Sequence, residues 1–264
     1  MPRITLKSIV DDLGENDVYD YEYGAFSEGD GCVVRLQVGE EPYQFYGYQT
    51  DGIYQTSAKA KADNYVSING THYGAGDVRF VDHHPDGVIN EQDKVLLGST
   101  RPDAFGSAFT SFRFRQLTLT ARFDGSLGGK IYNAVRRSLE SMDAFHNQSV
   151  AVVNRWQVEG QDTDMPRANY GDPNANNAFS DRFVEDGSYV KLGTLMLSYD
   201  IRHPLFKLFR SGSLWVSGDN LFTLTKYLGN DPEFAYSYDN FLYGIDFAKV
   251  AAPRTVKAGF VLNF

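Results

Sequence analysis

Residues 255–264 read Thr-Val-Lys-Ala-Gly-Phe-Val-Leu-Asn-Phe. In a strand, successive side chains point to opposite faces. Val256, Ala258, Phe260, Leu262 and Phe264 therefore share one face, and Lys257, Gly259 and Asn263 share the other; only Val261 breaks the pattern. One face suits an oily solvent and the other suits water. A soluble protein can end on such a strand, but in a transmembrane β-barrel, which closes by pairing its last strand with its first, this ending is expected.

Working outward, the same alternation recurs. Leu117, Leu119, Ala121 and Phe123 alternate with Thr118, Thr120, Arg122 and Asp124. The strand before it, residues 105–115, leaves only Gln116 or its neighbours to turn, so the two form a tight hairpin. Residues 189–199 change phase near Gly193 and Thr194, with Val190 and Leu192 on one parity and Leu195, Leu197 and Tyr199 on the other; a β-bulge reconciles the two. Residues 214–222 form another strand, with Ser217 and Asp219 on its polar face. Towards the N-terminus, residues 4–10, 18–26, 32–38 and the aromatic cluster at 43–48 complete about eight strands. Within residues 133–145, Val135, Leu139 and Met142 share a face, which predicts a short helix.

Short and long connections alternate. The links at 27–31, at Gln116 and at 202–211 are short; those at 48–104, 127–187 and 223–254 are long. Transmembrane barrels have short periplasmic turns and long extracellular loops. The expected fold is thus all-β: an antiparallel transmembrane β-barrel segment with long extracellular loops. If the oily faces meet lipid, Arg122, Asp124, Asp219 and Lys257 point into the lumen.

Composition narrows the function. Phe (19) and Tyr (17) far outnumber Trp (2), as in β-rich proteins. No uninterrupted apolar run approaches the ~20 residues that a membrane helix needs. The net charge of −9 argues against a nucleic-acid partner held by electrostatics. The one cysteine, Cys32, permits no intramolecular disulfide and reads as packing filler. The first residues lack the continuous apolar core and cleavage site of a signal peptide; an exported protein needs one, so the expectation is either a chain that is not exported or the tail of a longer one.

Residues 82–93 space oxygen-bearing groups like an EF-hand-type calcium loop. Asp82, Asp86, the Val88 carbonyl, Asn90 and Asp93 are the candidate ligands for Ca2+, with Gly87 permitting the sharp turn. His84 stands where an oxygen ligand is usual, and Asp93 where the longer Glu is usual. The competing reading is a hydrogen-bonded surface turn, and both stand at this point. The adjacent His83 and His84 diverge and lack a third ligand. Residues 125–130 (GSLGGK) fall one residue short of a phosphate loop and put Ile131 where Ser or Thr would hold magnesium. Asp181, Glu185 and Asp186 crowd as glycosidase carboxylates do, but Arg182 among them favours a salt-bridged loop base. No catalytic motif appears, and no enzyme is expected. Trp156, Tyr170, Tyr236, Tyr238 and Tyr243 lie in the long loops, where aromatic rings either stack on sugars or pack the loops themselves.

Five stretches then carry a resemblance. They are FYGYQTDGIYQ (45–55), DGVI running on to Asp93 (86–93), SDRFVEDGSYVKL (180–192), VSGDNLFT (216–223) and PRT leading to Phe264 (253–264). In this order the chain resembles the C-terminal part of SusC/RagA-type TonB-dependent outer-membrane transporters over roughly residues 40–264. The resemblance implies a bacterial outer-membrane location and a large barrel filled by an N-terminal plug. It implies uptake of oligosaccharides or peptides energised by the TonB complex, and a SusD-like surface lipoprotein capping the barrel. About eight strands cannot close a barrel of the ~22-stranded plugged class. Residues 1–264 are therefore expected to be the C-terminal portion of such a receptor, without plug or N-terminal strands, its substrate unread. The alternative from another class is a soluble β-sandwich that binds carbohydrate; a glycan hydrolase ranks below both.

Overall fold

A computed structural model describes residues 19–21, 33–36, 40–41, 43–201, 210–233 and 244–263. The expectations at residues 4–10, Cys32, most of 202–211, Tyr236, Tyr238, Tyr243 and Phe264 lie outside the described residues. In chain order the elements are β1 (Tyr19–Tyr21), β2 (Val34–Leu36), β3 (Gln44–Gly47), β4 (Thr50–Ile53), α1 (Ser57–Asp63), β5 (Val78–Phe80), β6 (Val95–Ser99), β7 (Ala104–Phe114), β8 (Leu117–Leu127) and β9 (Lys130–Asn133). Then follow α2 (Ala134–Glu140), β10 (Val184–Asp186), β11 (Tyr189–Ile201), β12 (Ser211–Thr225), β13 (Ile245–Asp246) and β14 (Thr255–Asn263). They fall into two compact units: Pro102–Gly129 with Asp186–Phe234 and Lys249–Phe264, and the remainder, Met1–Arg101 with Lys130–Glu185 and Ala235–Ala248.

The first of these units is built on one sheet of five long strands in the order β14-β12-β11-β8-β7. Every neighbouring pair in it is antiparallel. The expected tight hairpin joins β7 to β8: Phe114 pairs with Leu117, and Arg115 takes the left-handed backbone (φ 55°) that a two-residue turn demands. The expected bulge is present too. The register of β11 against both β8 and β12 shifts between Leu192 and Thr194. A side chain at Gly193 would run into the Asp124 carboxylate and come within 3.0 Å of the Arg122 guanidinium, so glycine there leaves this pair its room.

The other unit is made of the segments that precede β7 and those between the long strands. Beyond residue 48 these segments read in sequence mostly as polar loop, because no stretch in them holds one period for long. Folded together, they bury aromatic cores. Tyr48, Tyr54, Tyr73, Val78, Phe80 and Ile89 form one cluster, and Phe45, Tyr132, Phe179, Phe183 and Ile245 another. Tyr132 and Phe179 meet edge-on with ring centroids 4.7 Å apart. The small helix α1 is rich in Ala and Lys, good helix formers. The Thr56 hydroxyl accepts from Lys59 N at its start, and Asn64 ends it in the left-handed region. The predicted helix within 133–145 is real but shorter, as α2, with the Asn133 side chain capping Arg136 N.

One expectation changes here. The strands expected at 18–26, 32–38 and 43–48 do not join the long-stranded sheet; their described parts pair as β1-β2-β3-β6 in the other unit. Alternation marks a strand with one buried face but not which core it is buried against. Phe45 is fully enclosed, so its face belongs to an aromatic core. The long-stranded sheet therefore has five strands among the described residues, not about eight.

Candidate functional site

The long-stranded sheet has two chemically opposed faces, and register decides membership. On one face lie Phe112 and Phe114 of β7; Leu117, Leu119, Ala121 and Phe123 of β8; and Val190, Leu192, Leu195, Leu197 and Tyr199 of β11. Leu214, Val216, Phe222 and Leu224 of β12 and Val256, Ala258, Phe260 and Leu262 of β14 continue it. The bulge at Gly193 keeps β11 on this face despite its change of parity. The face is bare: Leu119 is 43% exposed, Phe123 39% and Phe260 67%. Burying one such side chain contributes about 1.5–3 kcal/mol. Summed over the face, even half that amount exceeds the ~5–15 kcal/mol by which a domain is stable. Such a sheet needs an apolar medium or a covering layer.

The opposite face carries Ser107, Arg113, Thr118, Thr120, Arg122, Asp124, Thr194, Ser198, Asp200, Ser217, Asp219 and Lys257. Its charges are paired, two pairs across strands and one along β8. Arg113 meets Asp200 at 2.5 Å, Arg122 meets Asp124 at 3.1 Å, and Lys257 meets Asp219 at 2.7 Å. Ser107 Oγ donates to Asp124 at 2.6 Å, and Thr194 Oγ1 donates to Asp219 at 3.1 Å. The four charged residues expected on one face are thus together, opposite the leucines. Sequence reading missed Phe105 and Phe109. They sit on this polar face, 84% and 71% exposed, directly across from Ser126 and Arg122. The parity of β7 was legible, but nothing in it said which face would be the apolar one until β8 was laid beside it.

The candidate calcium loop is a turn rich in internal bonds. Asp93 is fully buried, and its carboxylate accepts from the backbone of His83, His84 and Asn90 at 2.8–2.9 Å. Asp82 Oδ2 accepts from Gly87 N, Asp86 Oδ1 from Val88 N, Asn90 Oδ1 from Gln92 N, and the Val88 carbonyl from Asn90 Nδ2. Asn90 and Asp93 form a capping box, and Gly87 takes φ 80°. Asp82 Oδ1 is buried without a hydrogen-bond partner. No group of three or more His, Cys, Asp or Glu is placed to hold a metal among the described residues. His83 and His84 are exposed, and His83 Nε2 lies 3.1 Å from Gln49 Oε1.

The crowded carboxylates separate into different networks. Asp181 accepts from Thr50 N and Oγ1 at 3.0 and 2.6 Å; burial raises its pKa, and these bonds partly offset that. Glu185 meets Arg136 at 3.2 Å, and Asp186 accepts from Ser188. Arg182 is buried beside Glu140, 3.4 Å away. Desolvation lowers its pKa to about 10, against the pull of Glu140. This is a braced loop base, with no acid and base facing a common space. Ser141, Asp143 and His146 lie close together, but Ser141 Oγ contacts both Asp143 and His146 Nε2, at 2.8 and 2.9 Å. A hydrolytic triad needs the carboxylate on the other ring nitrogen. Trp156 is structural: its indole N–H donates to Gln55 O at 3.1 Å, and its ring fills the space above Gly76. Tyr170 meets Phe145 with ring centroids 5.5 Å apart and the rings tilted at 44°, both exposed. Gly128 and Gly129 simply turn the chain with positive φ.

No family model matches the chain. Among curated proteins it is 31% identical over 238 residues to TonB-dependent receptor P3 of Formosa agariphila, covering 87% of this chain and 23% of that protein. TonB-dependent receptor P26 of the same organism is 26% identical over 239 residues, with 88% and 23% covered. Among solved structures, the RagAB peptide importer in its open-open state superposes with a TM-score of 0.69 at 19% identity, covering 94% of this chain and 24% of that one. A second structure, of the RagAB peptide transporter, gives 0.66 at 20%, with 88% and 24% covered. The chain spans about a quarter of the length of each of these proteins. The relatives are named as receptors and importers, not as enzymes. The family met in the sequence is the family the comparisons return: over most of its length this chain is related to a stretch of the TonB-dependent receptors, and its fold is that of the matching part of the RagAB importer chain.

Proposed function

We propose that the chain is the C-terminal wall and extracellular loops of a TonB-dependent importer in the bacterial outer membrane, and that all 264 residues belong to that one barrel domain. The single observation that carries this is the bare apolar face of the five-stranded sheet, backed by a face whose charges are paired. Lipid is the medium that makes the first face stable, and a water-filled lumen accepts the second. The strands, 9 to 15 residues long, match the ~9–11 residues with which a tilted strand crosses the hydrocarbon. The whole importer takes up oligosaccharides or peptides, with a SusD-like surface lipoprotein as its lid and the TonB complex driving it through parts of the receptor outside this chain. The peptide importer fold supports this reading. A soluble carbohydrate-binding β-sandwich fits less well, since it would need Leu119, Phe123 and Phe260 sealed under a second sheet.

The test is a pair of adjacent substitutions in the full-length receptor. Leu119→Arg puts a charge into the lipid, at about 2–4 kcal/mol near the midplane, and should largely abolish outer-membrane assembly, read by heat-modifiable migration and surface protease protection. Thr120→Arg faces the lumen and should assemble nearly as the parent does. Equal tolerance of the two would sink the assignment of faces.

A further inference from the structure

Asp77 is wholly buried, and its carboxylate is saturated. Oδ1 accepts from Arg167 Nε at 2.8 Å and from Asn176 Nδ2 at 3.0 Å. Oδ2 accepts from Arg167 Nη2 at 2.9 Å, from Gly74 N at 2.7 Å and from Asn174 Nδ2. Four of these five bonds reach residues at least ninety positions away in the chain. The bonds beside them cross the same seam: Arg167 N donates to Gly76 O at 2.8 Å, and Val78 N to Asn176 Oδ1 at 2.7 Å.

The seam does not stand alone. Tyr48 N donates to Phe179 O, and Asp181 N to Tyr48 O, both at 3.0 Å. Tyr132 N donates to Gly244 O at 2.8 Å, where β9 and β13 pair in parallel. One aromatic cluster draws Phe45, Tyr132, Phe179 and Ile245 from all three segments of the unit. The cluster from Tyr48 to Ile89 lies almost wholly in the first segment, and Met142, Val152 and Met165 cluster in the second; what ties the three segments together is the shared aromatic cluster and the bonds across the seam. Removing one partner of a buried, charged bond is strongly destabilising, and here the loss falls on the seam between segments.

We propose that Asp77 is the clasp of a single cooperative body, so that the described residues of 43–101, 130–185 and 244–248 open together or not at all. Segments that look in sequence like three independent loops then move as one piece. For any transport cycle this removes separate gating by individual loops. The inference does not depend on the import reading, because it concerns one unit and its own bonds.

Hydrogen exchange on the full-length receptor in detergent micelles, read residue by residue, tests it. In Asp77→Asn the amides of Tyr54, Tyr132 and Asp181 should all exchange about tenfold faster or more, in step, while those of 104–127 and 189–201 keep their protection. Faster exchange confined to 74–78 and 167–177 would overturn the proposal. Glu159→Ala removes two exposed bonds from Ser57 in the same unit; it should leave Tyr132 and Asp181 unchanged, and an equal effect there would deny Asp77 its special place. Should Asp77→Asn fail to fold, exchange of the unaltered protein in rising denaturant decides. The three amides should converge on one opening free energy, and separate values would refute the clasp.

Discussion

At the scale of single residues, the outcome turns on which partners a polar atom already has. Asp93 commits both carboxylate oxygens to three backbone amides and is closed off from water. An Asp at this position is also one carbon shorter than the Glu that usually clamps calcium from two sides. The turn is held by its own bonds, and Asp82 Oδ1 is its one buried oxygen without a hydrogen-bond partner. Thermal unfolding of the full chain should not shift between chelator and millimolar calcium, whereas Asp93→Ala should destabilise the turn by roughly 1–3 kcal/mol in both conditions. A calcium-dependent rise in melting temperature, abolished by Asp82→Asn, would restore the metal-loop reading. The spacing of oxygens was legible in the sequence; that their lone pairs would be occupied by nearby amides was not, because side-chain-to-backbone bonding depends on the turn that forms. Asp77 was illegible for a similar reason: its partners Arg167, Asn174 and Asn176 come from another long loop, and no local pattern announces them.

Elements show the reverse. The hairpin at Arg115–Gln116, the bulge at Gly193 and the opposed faces of β8, β12 and β14 were all readable, since each follows from period-two alternation and the turn it leaves room for. The segments between them were not, because short strands and single turns share a core only after they meet. Gly193 is where element and residue depend on each other. Its missing side chain gives the Arg122–Asp124 pair its space, and the bulge it permits returns Leu195, Leu197 and Tyr199 to the apolar face. In the full-length receptor, Gly193→Val should disrupt assembly as Leu119→Arg does. Gly193→Ala should give at most a mild defect, because the Asp124 carboxylate and Arg122 guanidinium can swing aside from a single methyl. Deleting residue 193 should be tolerated better than Gly193→Val, since it removes the extra residue and leaves Leu195, Leu197 and Tyr199 in plain alternation with Val190 and Leu192. Assembly near the parent's for the deletion and poor for Gly193→Val would support the bulge as the device that keeps one face oily, and full assembly of Gly193→Val would remove it.

For the molecule as a whole, two kinds of burial coexist in one chain. The segments between the long strands enclose their aromatic side chains, so that unit meets the usual condition for stability in water. The sheet does not; its leucines and phenylalanines stay bare on one side. Water alone does not suit both, so the response of the chain to an apolar medium distinguishes a lipid-facing wall from a sheet covered by a second layer without knowledge of any ligand. Refolded from urea into plain buffer, the chain should aggregate, with fluorescence of an apolar dye rising as the bare face is exposed. In detergent micelles or lipid nanodiscs, the same preparation should stay dispersed and gain strand signal by circular dichroism, with the amides of β8 and β11 becoming protected. The aromatic unit, in contrast, should respond little to the choice of amphiphile. A monomeric, fully folded chain in buffer alone, with Leu119 and Phe260 shielded from a water-borne probe, would instead mean that a second layer covers the sheet, and the reading of its apolar face as a lipid-facing wall would fall with it.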